Sequence, residues 1–152
     1  MKKIFYISSA LVLIDQILKF IVIKNFSLNL SYEIIHNFFN LTYVKNTGAA
    51  FSILTNSTLL LIIISLASLF LIYKYLLKDK QFKKYETIVY SMLIGGLVGN
   101  LIDRIFHGYV IDYLEFIIFK YHFPIFNFAD ICIVLSIIVL FFILGSEKDA
   151  KN

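Results

Sequence analysis

The sequence predicts an all-α membrane protein: four transmembrane helices with a small extracytoplasmic β-containing segment after the first. Three observations carry that prediction. Apolar residues fill 60% of the 152 positions and charged residues only 16%, against roughly half and about a quarter in an average soluble domain. Four apolar runs are each about long enough to cross a bilayer as a helix. Apart from Lys19 and Lys74, the lysines gather beside those runs rather than within them. A mean hydropathy of +0.85 agrees, and the length suits a single integral membrane domain over residues 1–152.

The first run covers about residues 4–23, after Met1-Lys2-Lys3. A basic start before apolar residues also suits a signal peptide, but this run exceeds a usual h-region and no clear small-residue cleavage site follows, so it is expected to remain as an anchor. Asp15 and Lys19 stand four apart within it, on one face, where they pair and turn toward protein rather than lipid. Residues 24–57 change character. Partial alternation in Leu28–Tyr32 and Phe39–Tyr43 predicts short strands at the membrane surface. Asn46-Thr47-Gly48-Ala49-Ala50-Phe51 then brings small residues that either admit a close backbone approach or simply turn into the next helix. The remaining spans are expected at about 58–77, 85–106 and 128–144, with 107–127 as a second outer connection.

Lysine placement orients the spans. With both termini and the loop between the second and third helices on one side, that side receives Lys2, Lys3, Lys74, Lys78, Lys80, Lys83, Lys84, Lys148 and Lys151, whereas the other holds Lys24, Lys45 and Lys120. The positive-inside rule puts the richer side, and both termini, in the cytoplasm. Orientation also explains the net charge of +4 better than nucleic acid does, and no nucleic-acid partner is expected. The single cysteine, Cys132, lies in an apolar run and reads as a packed thiol.

This topology brings the internal polar residues to one face. Lys19, Asn100, Asp103 and Arg104 fall in the outer parts of outward-running helices, with Asp15 nearer the middle. Asn127 and Asp130 begin the inward-running fourth helix, and Asp112 lies in the connection before it. Asn100, Asp103 and Arg104 share a stripe at i, i+3, i+4, and Asn127 with Asp130 has the spacing of a reciprocal helix cap. Anchoring and capping explain each residue singly, but they leave a third carboxylate at the same level unexplained. Two carboxylates across a small gap share a proton, so that one activates water while the other hydrogen-bonds a carbonyl oxygen. Asp103, Asp112 and Asp130 are three candidates for those two places. His36, His107 and His122 lack ligand spacing, and neither HExxH nor GxSxG occurs, so zinc and Ser-His-Asp chemistry fit poorly and no metal or cofactor is expected. Gly95, Gly96 and Gly99 read as a close-packing stripe.

Asp15-Gln16-Ile17-Leu18-Lys19, the Asn46–Phe51 segment, Gly95-Gly96-Leu97-Val98-Gly99-Asn100-Leu101-Ile102-Asp103-Arg104, Val110-Ile111-Asp112-Tyr113 and Phe126-Asn127-Phe128-Ala129-Asp130 occur in order over nearly the whole chain. Together they resemble the successive motifs of the bacterial lipoprotein signal peptidases, signal peptidase II. The resemblance implies an aspartyl endopeptidase of the bacterial cytoplasmic membrane that cuts diacylglyceryl-modified prolipoproteins before the lipidated cysteine, working as a monomer among membrane lipid with its site near the outer face. It selects Asp112 and Asp130 as the catalytic pair. Asn46, Asn100, Arg104 and Asn127 would line the substrate site, with Asp15, Lys19, Gly48 and Asp103 in support. Tyr113 departs from the usual Phe, its added hydroxyl expected at the interface. A proton-coupled carrier, with access from both faces, and a non-enzymatic assembly factor are the alternatives from other classes.

Overall fold

The structure is a computed structural model that describes residues 1–48, 54–55, 57–78 and 81–149. Ala49, Ala50 and Phe51 of the small-residue motif lie outside the described residues, as do Lys80 and Lys151. Helix α1 spans Lys2–Asn25, α2 spans Thr58–Leu71 and continues into a π-helical turn at Ile72–Leu77, α3 spans Lys84–His107 and α4 spans Phe128–Asp149. Lys2–Asn25, Thr58–Leu77 and Lys84–His107 are long and apolar enough to cross a membrane, while the apolar stretch of α4, Phe128–Ile143, is shorter.

Packing follows the small residues. Ser8 Oγ donates to the Ser91 carbonyl (3.1 Å) and Lys19 Nζ to Asn100 Oδ1 (3.0 Å), so α1 and α3 run side by side in the same direction. A Cβ on Gly95 would sit 3.0 Å from Leu11 Cβ, and one on Gly99 would sit 2.6 Å from Asp15 Oδ2. On the other flank a Cβ on Gly96 would sit 2.5 Å from the Ala129 carbonyl. The glycine stripe therefore lets α3 approach α1 and α4 closely, the usual service of small residues between membrane helices. Ile4, Leu77, Val89, Tyr90, Leu93 and Leu140 form an apolar cluster at one end of the bundle. The polar residues occupy the other.

The β-structure extends beyond the segment after α1. Strands β1 (Ser31–Ile35), β2 (Phe39–Asn46), β3 (Val110–Ile118) and β4 (Tyr121–His122) form one antiparallel sheet in the order β1-β2-β3-β4. Half of it therefore lies in the stretch between α3 and α4, where the sequence reading placed a plain connection, and the all-α description is corrected to helices plus sheet. Gly108 makes the turn into β3, with φ of 79°, a conformation glycine adopts without strain. β2 and β3 then pair so that Val44 stands opposite Asp112 and Asn46 opposite Val110.

One carboxylate ties the four strands together. Glu115 of β3 accepts hydrogen bonds from Ser31 Oγ (2.8 Å) on β1, from Thr42 Oγ1 and Asn40 Nδ2 on β2, and pairs with His122 Nδ1 (2.8 Å) on β4. Burial alone would raise its proton affinity, but these donors outweigh that and hold the carboxyl down at about 2. Since the folded value lies below the unfolded one, the stabilisation is present above about pH 4.5 and is lost as pH falls toward 2. Glu115→Gln is expected to cost roughly 1–2 kcal/mol, a few degrees of unfolding temperature. Unfolding of the two proteins followed against pH checks this: the gap should close below pH 4.5, and a gap indifferent to pH would count against it.

Candidate active site

The site is built outward from Lys19. Its ammonium is 1% exposed and contacts Asp15 Oδ2 and Asp103 Oδ2, each at 2.8 Å, and Asn100 Oδ1 at 3.0 Å, so all three donors are used. Each partner then reaches onward. Asp15 Oδ1 accepts the Ala129 N–H at the start of α4 (3.1 Å). Asp103 Oδ2 accepts the Ile111 N–H beside Asp112 (3.1 Å). Asn100 Nδ2 donates to Asp130 Oδ1 (2.7 Å), and Asn100 Oδ1 also accepts from Asn127 Nδ2 (3.1 Å).

Asp112 and Asp130 come from different elements but share a holder. Asn127 Nδ2 donates to Asp112 Oδ1 (2.7 Å), while the Asn127 N–H donates to Asp130 Oδ2 (3.1 Å) and Asn127 Oδ1 accepts the Asp130 N–H (2.9 Å). The last two bonds form the reciprocal cap that the spacing predicts. Asn46 Nδ2 completes the grip on Asp112 through Oδ2 (2.8 Å), and Asn46 Oδ1 accepts the Gly48 N–H (2.9 Å). Arg104 Nη2 donates to the Gly48 carbonyl (3.1 Å). Ten residues singled out from the sequence thus form one connected network, with both carboxylates facing a cavity of about 830 Å³. Its walls include Val44, Val110, Phe123, Phe126, Ile131 and Val134.

Comparison with known proteins decides the family. The model of the family described as Signal peptidase (SPase) II matches residues 7–145. The chain belongs to the signal peptidase II family. It is 40% identical to the lipoprotein signal peptidase of Pasteurella multocida strain Pm70, over 86% of this chain and 81% of that protein. It is 37% identical to the lipoprotein signal peptidase of Staphylococcus haemolyticus strain JCSC1435, over 100% and 99%. A solved bacterial membrane enzyme, determined by the in meso method at 2.3 Å, superposes with a TM-score of 0.89 at 32% identity, covering 100% of this chain and 93% of that one. A second, at 1.9 Å, gives 0.83 at 33% identity, covering 95% and 93%. The protein is accordingly an aspartic peptidase of the signal peptidase II family and a multi-pass bacterial membrane protein, and it acts on prolipoproteins.

Within this family member two positions carry more than the sequence reading gave them. Gln16 Nε2 donates to Asp103 Oδ1 (3.0 Å), to the Gly99 carbonyl (3.2 Å) and to Asp15 Oδ2 (3.2 Å), so it braces α1 on α3. A polar amide three residues before Lys19 in an apolar run was the available signal. Tyr113 is corrected: its hydroxyl does not sit at an interface, because the residue is 5% exposed and its oxygen accepts the Phe128 N–H (3.3 Å).

Asp112, on the strand outside the helices, is 2% exposed. Burial first, and then the neighbouring Asp130 charge, push its carboxyl up to about 7 despite the hydrogen bonds from Asn46 and Asn127. Removing the buried cation tests the frame. Lys19→Met leaves Asp15 and Asp103 without their counter-ion, and breaking a buried pair in this way costs about 3–5 kcal/mol. An unfolding temperature lowered by roughly 6–20 °C in detergent is expected. A fall of a degree or two would show that the ammonium does not hold the frame.

Proposed function

We propose that the protein cuts diacylglyceryl-modified prolipoproteins immediately before the lipidated cysteine, with Asp112 and Asp130 as the catalytic pair. The observation that carries the assignment is the shared grip on these two carboxylates. Each is held through both oxygens by neutral donors, Asn127 links them, and both face the same cavity. Asp103, the third candidate, has its oxygens turned to Lys19, Gln16 and the Ile111 N–H, which favours a supporting role.

The chemistry follows from sharing one proton. With Asp112 near 7, the pair holds a proton at neutral pH rather than ionising twice. The ionised carboxylate takes a proton from a water molecule as its oxygen attacks the carbonyl carbon of the residue before the cysteine. The protonated carboxyl hydrogen-bonds the carbonyl oxygen as negative charge gathers there. When the C–N bond breaks, a proton from the pair passes to the departing amine of the cysteine. Asn46, Asn100 and Arg104 line the substrate site; Asn127, expected to line it too, is fully buried behind the carboxylates and holds both of them, and Asp15, Lys19, Gly48 and Asp103 hold the site in shape. The apolar cavity wall suits a signal peptide and its lipid. The whole chain is read as one domain with four spans and cytoplasmic termini, acting as a monomer near the outer face, in keeping with the lysine distribution.

Cleavage of a purified diacylglyceryl-modified prolipoprotein in detergent tests the assignment. Asp112→Asn and Asp130→Asn are each expected to lower the rate by roughly 10²- to 10⁴-fold or more while unfolding within a few degrees of the unaltered protein. Retained cleavage in either variant moves the chemistry elsewhere, and Asp103 becomes the next candidate. A second expectation concerns pH. Above about 7 the pair loses its remaining proton, so the rate should fall on the alkaline side; a rate that stays level from pH 6 to pH 9 would sink the shared-proton mechanism.

A further inference from the structure

We infer that Tyr113 is a positioning residue for the carboxylate pair, fixing the first turn of α4 against β3 through its hydroxyl. The inference rests on the assignment of Asp112 and Asp130 above. A helix leaves its first four N–H groups without partners inside the helix, and at the start of α4 each donor from Asn127 to Asp130 has an acceptor on a side chain. Asn127 N–H goes to Asp130 Oδ2 (3.1 Å), Phe128 N–H to Tyr113 Oη (3.3 Å), Ala129 N–H to Asp15 Oδ1 (3.1 Å) and Asp130 N–H to Asn127 Oδ1 (2.9 Å). The helical ladder begins only afterwards, with the Ile131 N–H on the Asn127 carbonyl (3.3 Å).

These four bonds divide into two kinds. The first and last are internal to α4: they orient the Asp130 side chain but do not locate the turn. The middle two come from outside, from α1 and from β3, and they locate it. Tyr113 directly follows Asp112, and successive residues of a strand point to opposite faces. Asp112 therefore faces the cavity while the Tyr113 ring packs behind it with Val22, Tyr43 and Ile111. The Tyr113 and Leu114 N–H groups donate to the Phe126 carbonyl (3.0 and 2.8 Å), and the Phe126 N–H donates to the Leu114 carbonyl (3.1 Å). The hydroxyl bond continues this latch two residues further, into the helix that carries Asp130. One strand thus sets both the place of Asp112 and the origin of the turn bearing its partner.

Tyr113→Phe removes the acceptor oxygen and keeps the ring. Loss of one neutral hydrogen bond on positioning is expected to lower kcat for the diacylglyceryl-modified prolipoprotein about 3- to 10-fold with KM unchanged. The two limbs of the kcat pH profile should also move toward each other, because carboxylates held less closely repel each other less. Amide hydrogen exchange over residues 126–130 should be several-fold faster in the variant, with α1 and α3 unchanged. A lowered unfolding temperature with an unshifted pH profile would reduce the hydroxyl to a structural contact and overturn the inference, as would unchanged exchange over 126–130. Exchange needs no substrate, so it judges the latch even if the unaltered protein fails to cleave, a failure that would strike the peptidase assignment instead.

Discussion

A buried ammonium is the interaction on which this molecule depends. Lys19 lies where hydrocarbon, helix backbone and carboxylates meet, and removing a charge from water is expensive unless every donor finds a partner. Here every donor does, and each partner lies on a chain of contacts to the carboxylate pair. Through Asp15 the ammonium reaches the first turn of α4, through Asp103 the start of β3, and through Asn100 the side chains of Asn127 and Asp130. Two hydrogen bonds therefore separate Lys19 from Asp130, through Asn100, and three separate it from Asp112, through Asn100 and Asn127. In a medium of low dielectric such a network is stiff when complete and unstable when broken, which suits a site that must hold two acidic groups together.

The glycine stripe makes that geometry attainable. The Asp15 carboxylate occupies space where a side chain on Gly99 would be, and the Ala129 carbonyl occupies the corresponding space at Gly96. Small residues at those two positions bring α1 and α4 close against α3 at the level of the polar network. Packing and electrostatics are thus one design. Without the close approach, Asp15 would not span from Lys19 to the Ala129 N–H.

Much of this was legible in the sequence, for identifiable reasons. Long apolar runs announce α1 and α3 to within two residues, and charges inside such runs announce a site because burying them needs a cause. The reciprocal cap of Asn127 and Asp130 follows from spacing alone. Strand β3 was harder to see. Val110, Asp112, Leu114 and Phe116 alternate with Ile111, Tyr113, Glu115 and Ile117, but both faces are largely buried, so the polar-apolar contrast that marks a half-exposed strand is weak. The partners of Gln16, Glu115 and the Tyr113 hydroxyl were hidden for another reason. Apart from the bond from Gln16 to its neighbour Asp15, each joins residues from different elements, and no local pattern encodes which elements meet.

The choice of donors around Asp112 and Asp130 bears on the chemistry. Asparagine amides grip both carboxylates, while Arg104 donates to the carbonyls of Gly48 and Asn100 and Lys19 stands one residue further back. A cation bonded directly to either carboxylate would favour the doubly ionised pair and expel the proton it needs. An amide donates without adding a full charge, so it fixes an oxygen in place and leaves room for that proton. The cations then act at one remove: they order the asparagines, and the asparagines order the acids. The same reasoning explains why four asparagine and aspartate side chains, rather than an ion pair, meet at the cavity wall.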